Sequence, residues 1–285
     1  MRKQLALAAA VLGAGAVLAS PAQAHRYDGP RVTGLTTMGD LVAFDADNPR
    51  NVSRLGRISG LKDDMKVVGI DYRVQNGKLY AVGDRGGIYT VDGKAKATKV
   101  SQLTVALNGK AFGVDFNPAA NRLRVISDAG QNLRHNLDDP NGAPAAGSTA
   151  NDGTLTNPPV PPAAGTTALG VTGAGYTNND LDAATATTLF DVDTTADQVS
   201  VQSPANAGNL APAGKLGVDA DLDAGFDVYS RLSKGVTVSN TAYATLKSDG
   251  AYRFYTVNAL TGSADLVGTF PSNRQVSDIA VQLGS

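Results

Sequence analysis

The sequence predicts an all-β fold, a five-bladed β-propeller closed by a C-terminal strand that joins the N-terminal blade. Three observations lead there. All 26 acidic residues are aspartate and none is glutamate, beside 32 glycines. Aspartate competes with the backbone for hydrogen bonds and favours turns over helix interiors, so this composition argues for strands joined by many tight turns. Second, Lys78-Leu-Tyr-Ala-Val-Gly-Asp84 and Arg122-Leu-Arg-Val-Ile-Ser-Asp128 align without a gap at an offset of 44 residues, as do Gly69-Ile-Asp71-Tyr and Gly113-Val-Asp115-Phe. A period of that length with several strands per unit is the signature of a propeller blade. Third, one strand type recurs five times: Leu41 to Asp45, Ile88 to Asp92, Asn132 to Asn136, Leu189 to Asp193 and Phe254 to Asn258. Each ends in Asp or Asn, whose side chain can accept from the backbone two residues on and start a turn.

Taken in order, the chain opens with Arg2 and Lys3, an apolar alanine-rich run from Leu5 to Leu18, and Ala22-Gln23-Ala24. That is the layout of a signal peptide spanning 1–24 and cleaved after Ala24, which predicts a secreted or periplasmic protein with one domain over 25–285. The apolar core is too short for a permanent anchor and no later run approaches spanning length, so no membrane insertion is expected. The absence of cysteine rules out disulfides. Without Arg2 and Lys3 the 25 basic residues fall to 23 against 26 acidic. That balance offers no basic excess for nucleic acid.

The innermost strand of each blade is expected at Val67 to Tyr72, Phe112 to Phe116, Val171 to Tyr176, Leu216 to Ala220 and Val276 to Leu283. Val32 to Thr36 and Leu41 to Asp45 match the second and third strands of a blade that lacks its first. The C-terminal strand supplies that missing one, which closes the ring and removes two open sheet edges. Residues 140–168 hold 6 of the 13 prolines and form an excursion, with an outer strand expected at Gly153 to Thr156. The fourth blade, Val171 to Leu210, has a weakly marked second strand and a polar loop from Thr177 to Thr188.

Phe112-Gly-Val-Asp-Phe-Asn-Pro, Arg122-Leu-Arg-Val-Ile-Ser-Asp-Ala-Gly-Gln-Asn-Leu-Arg, Ala174-Gly-Tyr-Thr-Asn-Asn and Gly217-Val-Asp219 together resemble the bacterial domain-of-unknown-function 4394 family. The resemblance spans essentially all of 25–285. It implies a secreted, propeller-like protein and brings no catalytic residues with it.

Few residues suit nucleophilic chemistry. There is no thiol and no Gly-x-Ser-x-Gly elbow. The two histidines are His25 and His135, and His135 falls in the repeat column held by Phe44, Val91, Val192 and Val257, so it reads as a packed residue. Oxygen ligands are plentiful, which makes Ca2+ the cation to consider. Asp71, Asp115 and Asp219 share one register on inner strands and are the axial candidates, unless each instead bonds backbone or an arginine such as Arg73 or Arg124 within its own blade and serves only the fold. Asp219, Asp221 and Asp223 also resemble the start of a calcium loop, but Gly225 falls one place late for an EF-hand and Ser230 replaces its glutamate. No cofactor is required by the sequence. The expectation is a non-enzymatic binding or envelope-associated module whose partner is a small molecule, glycan or protein. The rival is a calcium-dependent propeller hydrolase or lyase built on the axial aspartates.

Overall fold

The computed structural model describes residues 29–284. The predicted signal peptide and His25 lie outside them. Among the described residues the only helical segment is a three-residue 3-10 turn, Ala205–Ala207.

The strands form five four-stranded antiparallel sheets. The first blade contains β1 (Arg31–Thr36), β2 (Asp40–Asp45) and β3 (Asn48–Arg57). The second is β4 (Val67–Arg73), β5 (Lys78–Gly83), β6 (Gly87–Val91) and β7 (Ala97–Gln102). The third is β8 (Phe112–Asn117), β9 (Arg122–Ser127), β10 (Asn132–His135) and β11 (Thr149–Asn151). The fourth is β12 (Val171–Tyr176), β13 (Leu189–Asp193), β14 (Gln198–Gln202) and β15 (Leu210–Lys215). The fifth is β16 (Ala224–Ser233), β17 (Val236–Ser248), β18 (Ala251–Val257) and β19 (Ala264–Thr269). Finally β20 (Val276–Val281) pairs antiparallel with β1 as the innermost strand of the first blade, the closure the sequence predicts.

The repeated Asx positions make the turns expected of them. Asp92 Oδ1 accepts from the Lys94 N–H at 2.9 Å, and Asp193 Oδ1 from the Thr195 N–H at 2.9 Å. Asn258 Oδ1 accepts from Leu260 at 3.1 Å, and Asn136 Oδ1 reaches one residue further, to Asp139 N–H at 2.9 Å. Asp45 differs: its carboxylate pairs with Arg31 at 3.0 Å. A second aspartate column fixes the entry to inner strands. Asp84 Oδ1 accepts from Met65 N–H at 2.8 Å, and its repeat partner Asp128 accepts from Lys110 N–H at 2.7 Å.

The core lies between blades, where each sheet packs its apolar face on the next. The join between the last blade and the first is aromatic. Phe44 meets Phe254 and Phe270 edge-on at centroid distances of 5.1 and 5.2 Å, and all three rings are buried. Burying each ring contributes roughly 1.5–3 kcal/mol, which helps hold the ring closed.

Three expected boundaries are corrected. The inner strand of the fifth blade is Ala224–Ser233, not Leu216 to Ala220. Leu216 is buried between the fourth and fifth blades, but Gly217 takes φ +73°, which ends any extended run there. Leu189–Asp193 pairs directly with β12 and is therefore the second strand of its blade, reached through the 177–188 loop. The outer strand of the third blade is Thr149–Asn151; Leu155, from the segment expected to be that strand, is instead a fully buried core residue.

Candidate axial site

Aligned by register, the inner strands read Gly69-Ile-Asp71-Tyr, Gly113-Val-Asp115-Phe, Gly173-Ala-Gly175-Tyr, Gly225-Phe-Asp227-Val and Asp278-Ile-Ala280-Val. Each part of the Gly-x-Asp pattern has a physical task. Inner strands crowd together around the axis, and a Cβ on Gly69 would lie 2.3 Å from Val114 Cγ2, while one on Gly113 would lie 2.7 Å from the Ala174 backbone nitrogen. The glycines permit that approach. An inner strand is also the free edge of its sheet, so its outward N–H groups lack ladder partners.

The aspartates supply them across the gap between blades. Phe116 N–H donates to Asp71 Oδ2 at 2.7 Å, Tyr176 N–H to Asp115 Oδ1 at 3.1 Å, Val281 N–H to Asp227 Oδ2 at 2.5 Å and Ile70 N–H to Asp278 Oδ2 at 2.8 Å. Asp71 and Asp227 each also accept from the next residue of their own strand, Tyr72 at 2.6 Å and Val228 at 2.5 Å.

This arrangement gathers charge. Asp71, Asp115 and Asp227 are buried, and one carboxylate oxygen from each lies within 4.8 Å of the other two. None of the ion pairs among the described residues involves them. Burial, and then repulsion from Asp227, pushes the Asp71 carboxyl well above its usual range; burial followed by repulsion from Asp71 does the same to Asp115. Burial raises Asp227 to about 6, against backbone hydrogen bonds that oppose the rise. Such a cluster is stable only if it holds protons or a cation.

Above it the N-terminal ends of β4, β8, β16 and β20 frame a cavity of about 430 Å³, lined in part by Lys66, Lys110, Phe112, Asp223 and Asp278. Asp278 is half-buried at its floor, two residues before the Asp-bearing register, a rise of about 6.6 Å along a strand.

Of the residues singled out from sequence, Asp71 and Asp115 come together. Asp219 does not: it is exposed in the turn before β16, and Asp227 holds the expected position. Asp221 is exposed and pairs with Lys247 at 3.5 Å, while Asp223 accepts from the Tyr252 hydroxyl at 2.7 Å, so the three do not form a calcium loop. Asp227 was legible in one respect. A bulky residue follows the aspartate in Asp71-Tyr72, Asp115-Phe116 and Asp227-Val228, whereas Ala220 follows Asp219. Asp278, which accepts from Ile70 at the edge of the cavity, had no such signal, because it stands at a position where the other strands carry glycine.

His135 is fully buried, with Nε2 2.8 Å from Ser101 Oγ and Nδ1 2.9 Å from Thr149 Oγ1. Burial lowers it to about 4, and a hydroxyl stands where a triad would place a carboxylate, so it is a weak, neutral packing residue.

The geometry defines a five-bladed β-propeller with a carboxylate cluster on its axis. The chain belongs to the family described as Domain of unknown function (DUF4394), whose model matches residues 40–280. No curated protein matches the chain in sequence. Its fold is similar to that of an auxiliary nutrient binding protein from Bacteroides thetaiotaomicron, at 14% identity over 88% of this chain and 64% of that one, with a TM-score of 0.44. The chain thus spans less than two thirds of that protein's length. A protein from Lactobacillus plantarum is similar at 15% identity over 88% of this chain and 98% of the other, with a TM-score of 0.41. The Dos1 propeller is similar at 11% identity over 83% and 58%, with a TM-score of 0.39.

Proposed function

We propose that the protein is a secreted or periplasmic, non-enzymatic binding propeller that holds a calcium ion on Asp71, Asp115 and Asp227. A small molecule, glycan or protein is then taken at the cavity above. One observation carries this reading: three buried carboxylates converge within 4.8 Å, and none of the ion pairs among the described residues reaches them. A hard cation with oxygen ligands is the group that such a set suits, and carboxylate oxygens that already accept from backbone N–H retain lone pairs for it. The signal-peptide pattern of residues 1–24 supports the compartment, where calcium is abundant. The hydrolase or lyase reading has less support, since His135, buried and lowered to about 4, is no base.

The test is thermal melting at pH 7.5 with saturating CaCl2 or with EDTA. Calcium at about 100 times its Kd stabilises by about 2.7 kcal/mol, which for a domain of this size raises Tm by about 5–10 °C. Asp115→Asn should abolish the shift. A Tm indifferent to both CaCl2 and EDTA would overturn the calcium site.

A further inference from the structure

The opposite face of the ring carries a second cavity with the reverse electrostatics. The C-terminal ends of β8 and β12 bring Asn117 and Tyr176 to a pocket of about 260 Å³, whose wall includes Arg122, Arg124, Arg134 and Asn206. Arg122 and Arg124 are buried, at 5% and 2% exposure. A guanidinium cannot shed its proton in a protein, so unlike the axial carboxylates these groups cannot escape their charge by titrating.

Among the described residues only two carboxylates pair with the three guanidiniums. Asp139 pairs with Arg122 at 3.0 Å, and Asp152 is shared between Arg124 at 2.8 Å and Arg134 at 2.9 Å. The pocket is left with one excess positive charge.

Donors are also left over. Each guanidinium has five N–H groups. Arg124 gives four of them to the Tyr176 hydroxyl, Asn132 Oδ1, Asp152 Oδ2 and Asn206 Oδ1. Arg122 gives four to Ala143 O, Ala120 O, Asn121 O and Asp139 Oδ2. Arg134 gives three, two to Asp152 and one to Ala143 O. Every arginine of the pocket therefore keeps at least one uncommitted donor, and all three are held rigidly by their other bonds. Ala120, Pro204 and Ala205 add an apolar side to the same cavity.

We propose that this pocket binds the carboxylate of an acidic sugar. The guanidiniums take the carboxylate, Asn117, Asn206 and Tyr176 meet hydroxyls, and the apolar side meets the ring. The site is separate from the axial cluster and does not depend on calcium.

Isothermal titration with glucuronate, with glucose and inorganic phosphate as comparison ligands, tests it. Glucuronate should bind, weakening as NaCl rises, and glucose should not. Arg134→Gln, a half-buried position, should weaken glucuronate binding at least tenfold. Ala120→Glu, which adds a carboxylate at an exposed turn on the pocket rim, should do the same without disturbing a buried ion pair. Failure of glucuronate to bind, equal binding of glucose, tighter binding of phosphate, or unchanged affinity in both variants would each overturn the assignment. None of those outcomes bears on the calcium-dependent melting shift.

Discussion

The Phe116 N–H donates to Asp71 Oδ2 at 2.7 Å, so a carboxylate of the second blade caps the free edge of the third. The bond is buried and joins residues 45 positions apart. It acts as one rung of a ladder between blades that the sheets themselves cannot extend.

Asp71→Ala should therefore leave the N–H groups of Phe116 and Tyr72 without an acceptor. At pH 5, in EDTA, the loss should be about 1–3 kcal/mol by urea denaturation. Asp71→Asn keeps an oxygen in place and should stay within about 1 kcal/mol of the parent. If the two variants are equally stable, the rung has no energetic role.

The pH dependence of the metal-free protein should contain two opposed contributions. Asp227 is raised from its ordinary 3.8 to about 6, so the folded state holds its proton more tightly than the unfolded chain does. Its contribution is complete below pH 3.8 and disappears as pH rises through 6; Asp71 and Asp115, also raised by burial, contribute in the same direction. His135 is lowered from 6.5 to about 4, so its contribution is present above pH 6.5 and is lost as pH falls through 4. Tm measured across pH 4 to 8 in EDTA should fall toward alkaline pH. Asp227→Asn should flatten the descent, and His135→Phe should raise stability selectively on the acid side. A His135→Phe curve parallel to the parent's would contradict a buried neutral imidazole.

Gly113 faces the backbone of the neighbouring inner strand, with room for no side chain: its Cβ would sit 2.7 Å from Ala174 N and 2.9 Å from Gly173 C. That backbone cannot rotate away as a side chain could. Gly113→Ala should destabilise by about 1–3 kcal/mol through overpacking. Gly77→Ala is the contrast, since nothing lies within 4 Å of its Cβ position and only its φ of +65° opposes the change. A chemical-denaturation series on the two variants checks this; if Gly113→Ala is neutral, the inner strands are not in contact as described.

The blade repeat was legible because its determinants are local. Leu79, Ala81 and Val82 pack much as Leu123, Val125 and Ile126 do, and Asp92, Asp193 and Asn258 form turns within their own few residues. The axial set was half legible. Asp71 and Asp115 stand in an ungapped repeat, whereas the fifth blade offers two Gly-x-Asp tripeptides, at 217–219 and 225–227, eight residues apart. The bulky Val228 favours the second, and the pairing of β16 with β17 selects it. The arginine pocket is not legible at all: Arg122 and Arg134 stand on two strands of the third blade, and Asn206 comes from the fourth.

By itself the sequence determined the fold class, the number of blades and the strand that closes the ring, because alternation, turn chemistry and repeat period are properties of short stretches. Only the tertiary structure decided which carboxylates meet on the axis and which arginines share a wall. Those sites are assembled from different blades, and their charge states follow from burial and mutual distance, quantities that exist only once the ring has closed.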